Sequence, residues 1–277
     1  MKHNLKITLI MVALFLAAQF IGLAIIDHYL VGDLPFGIDK PEINEDFSYI
    51  SIAISLIFVT LLALLLIRFK AVKVWKAWFF IASLYLLTIA FSAFFTQIGA
   101  LIGAIAFTSL RFFRPSLVSH NIVELFVYSG IAAIFVPILS VLSMSILLII
   151  ISIYDMIAVW KTKHMIKLAK FQAKAKTFAG LAIPYARKTI TNKKTKEKQK
   201  VFTKTAILGG GDVGFPMLFA GVLLKTSGFL DASLIAIFSA IALFVLLTMS
   251  KKNKFYPAMP FISAGCFLGY LIGLLIW

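Results

Sequence analysis

Cysteine is almost absent. Cys266 is the one thiol in 277 residues, so no disulfide can form within the chain. Charge is scarce too: Asp, Glu, Lys and Arg make up 14% of residues, against about a quarter in soluble domains. Acids are scarcest, eleven against 27 Lys and Arg. These shortages exclude a disulfide scaffold, a disordered chain and a soluble enzyme. Apolar residues take the space, at 61% of the chain with a mean hydropathy of +1.01. That composition belongs to a polytopic helical membrane protein. The net charge of +16 would suggest nucleic acid in a soluble chain. Here the charge is segregated into loops, so no nucleic-acid partner is expected.

A bilayer core about 30 Å thick needs roughly 20 apolar residues of helix. Nine stretches qualify: Leu5–Ile26, Tyr49–Ile67, Ala77–Phe95, Gln97–Leu110, Asn121–Pro137, Leu139–Trp160, Thr205–Lys225, Leu230–Ser250 and Pro257–Trp277. The first is too long for the core of a signal peptide and no small-residue cleavage site follows it. With a cytoplasmic N-terminus, every Lys and Arg except Lys40 and Lys225 falls on the inner side. The outer Asp27–Asp46 loop holds six of the acids. This positive-inside bias supports an all-α multi-pass protein of the cell membrane with nine transmembrane helices, N-terminus inside and C-terminus outside. The chain then divides into 1–160 (spans one to six), a basic cytoplasmic loop 161–204, and 205–277 (spans seven to nine).

Fourteen Lys and Arg lie in 161–204. Lys163–Phe178 sets Met165, Ile166, Leu168 and Phe171 among lysines, which reads as an amphipathic helix on anionic lipid headgroups. Leu181–Tyr185 and Lys200–Thr203 read as short strands flanking the turn Asn192–Lys198.

Most acids sit in loops or at span ends; Glu124, Asp155 and Asp212 do not obviously avoid the bilayer in this way. Glu124, in Asn121-Ile122-Val123-Glu124, has the spacing of a capping box at the start of the fifth helix. Asp155 and Asp212 have no such explanation. Both lie roughly 9–12 Å inside the cytoplasmic boundary, on consecutive spans that run in opposite directions. An acid there costs about 2.5–3.5 kcal/mol on insertion scales, so it is a functional candidate by default. The pair admits three readings: a shared-proton contact joining two helices, an ion or proton site of a channel or transporter, or a catalytic dyad. Lys254-Phe255-Tyr256-Pro257-Ala258-Met259-Pro260 lies at the same depth, and its prolines leave backbone groups free to meet an extended peptide. Gly209-Gly210-Gly211 lets another backbone approach Asp212 but weakens the helix expected there. Gly99/Gly103 and Gly265/Gly269/Gly273 have the small-xxx-small spacing of tight helix packing.

Tyr154-Asp155, Gly209-Gly210-Gly211-Asp212 as GxGD, and Pro257-Ala258-Met259-Pro260 together resemble the three signatures of presenilins and signal peptide peptidases. In that family they fall on spans six, seven and nine of nine. The resemblance covers the whole chain and implies an archaeal-type intramembrane aspartyl protease. Asp155 and Asp212 would be catalytic. Tyr154, Gly209, Gly210, Gly211, Pro257, Ala258, Met259 and Pro260 would position substrate. The orientation is that of presenilins. Two residues depart from the family pattern: Met259 replaces the usual leucine, and Gly210 stands where a bulky apolar residue is common. The expected substrates are single-span membrane proteins or signal-peptide remnants. No cofactor or metal is implied, and self-association into a homo-oligomer stays open.

Other protease chemistries lack their residues. There is no HExxH, and His3, His28, His120 and His164 have no ligand spacing. No serine sits in a GxSG context. Prepilin peptidases share GxGD but leave the proline element unexplained. A transporter would use the same two acids, with its site usually nearer the midplane.

Overall fold

Serine and threonine set several of the helix starts. Thr96 Oγ1 accepts from Gly99 N–H at 3.3 Å, and Ser140 Oγ accepts from Ser143 N–H at 3.1 Å. Ser116 and Ser119 form a reciprocal capping box. Each cap satisfies amides that a helix start leaves unpaired. The computed structural model describes residues 5–39, 48–69, 71–162, 178–191, 198–250 and 256–276. Among these residues are nine α-helices and one antiparallel hairpin. The helices are α1 (Leu5–Val31), α2 (Ser48–Arg68), α3 (Val72–Ser92), α4 (Gln97–Phe113), α5 (Leu117–Phe135), α6 (Val141–Met156), α7 (Gly210–Ser227), α8 (Phe229–Met249) and α9 (Met259–Ile276). The strands are β1 (Gly180–Thr191) and β2 (Lys198–Gly209).

Six of the helical segments are long and apolar enough to cross a membrane: α1, α3, α5 with the 3-10 turn that follows it, α6 with its π-helical extension, α8 and α9. The molecule is inverted relative to a soluble protein on its flanks. Ile54, Phe58, Trp78, Ile102, Ile149 and Leu271 are all exposed, as side chains facing hydrocarbon should be. Inside, α1 is the central post. Its buried Met11, Phe15, Ala18, Leu23 and Ile26 share one cluster with α5, α6, α7 and α8. Gly22 lets α1 close on α7, because a Cβ there would stand 2.4 Å from Met217 Sδ.

The Gly265/Gly269 spacing does bring two helices together: Cβ atoms at these positions would lie 2.6 Å from the Phe238 carbonyl oxygen and 2.9 Å from that of Leu234, both on α8. Gly103 faces the Phe91 ring of α3, whereas Gly99 meets Thr96, its own cap residue, and the neighbouring Phe95 rather than another helix. At the end of the bundle where α5 and α7 finish, Pro137 breaks α5 into a 3-10 turn. Lys225 Nζ then donates to the carbonyls of Pro137 and Leu139 at 3.0 and 3.3 Å. This contact gives a structural role to one of the two basic residues assigned to the outer side.

Three expectations need correction. Glu124 does not cap α5. The helix begins at Leu117 under the Ser116 box, so Asn121 and Glu124 lie within it. The capping pattern occurs twice in this stretch, and the serine pair takes the helix start. The seventh helix begins at Gly210 rather than Thr205, because Thr205–Gly209 is strand. Gly209 is therefore the N-cap of α7, and Gly210 and Gly211 open it instead of weakening its interior. The strands are also longer than expected: they pair from Gly180↔Gly209 to Thr191↔Lys198, with an irregularity after Pro184. Leu181, Ile183, Ala206 and Leu208 join the central core, which draws the base of the hairpin into the bundle. The expected amphipathic helix Lys163–Phe178 lies outside the described residues except for Phe178, and the turn Asn192–Lys198 lies outside them except for Lys198.

Filling the closest helix contact tests the packing. Gly265→Val should lower thermal stability in detergent by about 1–3 kcal/mol, the usual effect of overpacking, because its methyl groups would enter the Phe238 backbone. Gly214→Ala, with no atom within 4 Å of the new methyl, is the control expected to melt with the wild type.

Candidate active site

Asp155 occupies the last turn of α6, and the chain continues beyond it as π-helix over Ile157–Thr162. Such irregular turns are frequent at functional sites. The Asp155 side chain is buried, and its Oδ2 accepts the Met259 amide at 3.1 Å. The Ala258 amide lies beside the same carboxyl. Met259 is the first residue of α9, so its N–H has no partner within the helix and is free for this contact. The 104-residue separation makes it a tie between α6 and α9. Deeper in the same interface, Ser152 Oγ donates to Ser263 Oγ at 2.9 Å.

Asp212 lies in the first turn of α7, half-buried, with the Gly209 backbone beside its carboxyl. It stands within electrostatic reach of Asp155. On the far side, Gln19 of α1 donates from Nε2 to the Val213 carbonyl at 3.0 Å, which holds the turn that carries Asp212.

The structure thus brings together Asp155, Asp212, Gly209, Ala258 and Met259. Pro257 is buried just before α9, and Pro260 is half-buried in its first turn. Tyr154 is half-buried beside Asp155 in the chain. The three glycines differ. A Cβ on Gly209 would lie 3.2 Å from Asp212 Oδ2, and one on Gly210 would lie 2.7 Å from the Tyr128 hydroxyl oxygen. Gly211 is exposed and would meet only the Phe215 ring at an ordinary 3.4 Å.

A second polar group borders the site. Arg111 of α4 and Glu124 of α5 form a buried ion pair, and the Tyr128 hydroxyl donates to Glu124. Glu124 Oε2 also accepts the Gly180 amide at 3.2 Å, and Arg111 Nη2 donates to the Phe178 carbonyl at 3.1 Å. His120 Nε2 bonds the Gly180 carbonyl at 2.8 Å. Asn121 bonds both the N–H and the C=O of Ala182, at 2.9 and 3.0 Å. Sequence alone gave Glu124 and Asn121 only as a helix cap, His120 only as a histidine without ligand spacing and Arg111 only as an inner-side charge, and singled out neither Tyr128 nor Gln19. The one local signal was the i,i+4 spacing of Glu124 and Tyr128, which puts them on one helix face. Their other partners lie more than fifty residues away, except Arg111.

These two acids, at a helix end and a helix start and met by backbone amides, suit general acid–base hydrolysis in a dry setting. A profile described as signal-peptide peptidase, presenilin aspartyl protease matches residues 12–277, and the chain therefore belongs to that family of intramembrane aspartyl proteases. No curated protein is significantly similar in sequence. Among solved structures, a presenilin family intramembrane aspartate protease in a C222 crystal is 23% identical with a TM-score of 0.66, over 98% of this chain and 99% of that one. A P2 crystal of a presenilin family intramembrane aspartate protease gives 22% identity and a TM-score of 0.65, over 96% and 97%. These likenesses show a shared fold. The transporter and prepilin-peptidase readings give way to intramembrane proteolysis.

The Met259 contact is made by backbone, so it separates side-chain from main-chain effects. Met259→Leu should keep peptide cleavage within about threefold of wild type, since the swap conserves volume. Met259→Pro, at a first helical position where proline is tolerated, deletes the N–H and should lower kcat at least about tenfold, the loss expected when a charged group loses a hydrogen bond. Initial rates on a labelled transmembrane peptide distinguish the two.

Proposed function

We propose that Asp155 and Asp212 are the catalytic pair and that the chain hydrolyses peptide bonds within transmembrane segments or signal-peptide remnants. The observation that carries this is the convergence of two helix starts on one pair of acids, with Ala258 and Met259 amides meeting Asp155 while Asp212 stands within its field. One carboxyl is ionised and takes a proton from water, whose oxygen attacks the scissile carbonyl carbon. The other is protonated and donates to the carbonyl oxygen. As the tetrahedral intermediate collapses, the C–N bond breaks and a proton passes to the leaving nitrogen. No covalent intermediate with the enzyme forms.

A helical substrate must unwind before its carbonyl is reachable. Its freed backbone pairs with the edge of the β1–β2 hairpin or with the Pro257–Pro260 element, which offsets the lost helical bonds. In this proposal nine helices span the cell membrane, with the N-terminus cytoplasmic and the acids toward the inner face. The lysine-rich 161–204 loop then rests on anionic headgroups.

In vesicles holding a single-span reporter, Asp155→Ala and Asp212→Ala should each abolish cleavage while the protein still accumulates in the membrane. Wild-type cleavage should be blocked by a hydroxyl transition-state isostere. Residual isostere-sensitive activity in either variant would remove that residue from the pair.

A further inference from the structure

Arg111, Glu124 and Tyr128 are 4%, 0% and 5% exposed, yet the hydrolysis just described uses none of them. Packing alone does not explain a buried ion pair, because apolar residues of similar volume often stabilise such a contact as well or better. The cluster does supply hydrogen bonds to backbone that an apolar pair cannot. Glu124 and Arg111 bond Gly180 and Phe178, at the very base of β1. That base is paired Gly180↔Gly209, and Gly209 is both the last residue of β2 and the N-cap of α7. Position is thus passed from α4 and α5 through one rung of the ladder to Gly209, which packs against the Asp212 carboxyl: a Cβ there would stand 3.2 Å from Asp212 Oδ2. A second route is shorter. The Tyr128 hydroxyl, held by Glu124 Oε2, fills the space that a Cβ on Gly210 would need.

We infer that Arg111, Glu124 and Tyr128 form a clamp that fixes the base of the hairpin and the start of α7, and so sets where Asp212 stands relative to Asp155. The three are positioning residues, acting through the backbone that carries Asp212. The inference rests on the assignment of Asp155 and Asp212 as the reacting pair. A shift of about 1 Å at a reacting group can cost about a hundredfold in rate, so the clamp acts on catalysis far more than on folding.

The test uses the full-length protein in detergent, a labelled single-span peptide for kcat and KM, and the hydroxyl isostere for equilibrium binding. Tyr128→Phe should melt close to wild type, keep KM within about twofold, and lose between about tenfold and a hundredfold in kcat, with isostere affinity falling by a similar factor. The double variant Arg111→Met/Glu124→Leu removes both charges together but leaves the Gly180 amide and the Tyr128 hydroxyl without their acceptor, so it should melt below wild type and show at least as large a loss in kcat. The inference is overturned if a folded variant cleaves and binds the isostere within about twofold of wild type, or if Tyr128→Phe raises KM and spares kcat. Should the double variant not fold, Tyr128→Phe decides alone. A wild-type protein that neither cleaves nor binds the isostere overturns the dyad itself, and this inference with it.

Discussion

An ionisable carboxyl among apolar helices persists only where polar groups meet it. At Asp155 those groups are the amides of Ala258 and Met259, at the start of α9. They are free because a helix start has no carbonyls to offer them, and because Pro257 and Pro260 keep regular helix from continuing backward. The start of α9 also presents the positive end of its dipole to the acid. Asp212 solves the same problem from the other direction, by sitting in the first turn of its own helix, α7. Two helix starts therefore face one small volume, and the acids there are held by main chain. The side chains around them are left to shape the site.

The hairpin is the second support. Its outer part is rich in lysine, but its base carries Leu181, Ile183, Ala206 and Leu208 into the central cluster. Burying a side chain of this size contributes roughly 1.5–3 kcal/mol. That anchoring lets β2 run into α7 with Gly209 as the junction. The helix that carries Asp212 is thus continuous with a sheet strand.

Much of this was legible in the residues. Long apolar runs gave helices near the expected places, since hydrocarbon thickness dictates their length. Asp155, Asp212 and the proline element stood out because an acid or a free amide is costly inside a bilayer. The errors came where one pattern fits two structures. Ala206-Ile207-Leu208 is an apolar run that serves helix or strand equally, and only its pairing with Leu181–Ile183 decides. Asn121 and Glu124 imitate a cap that Ser116 and Ser119 supply. Arg111 passed as one more inner-side charge, because its pairing with Glu124 needs α4 and α5 to be folded back on each other. Glu124's contact with Gly180 spans 56 positions, and no periodicity records it.

The contact between Gly210 and the Tyr128 ring also bears on how this chain can change over generations. A side chain at 210 and an aromatic ring at 128 claim the same space. A side chain at 210 would push the Tyr128 ring and hydroxyl aside, and with them the bond that the hydroxyl gives Glu124. The bare glycine in this GxGD turn is what leaves the tyrosine of α5 its place.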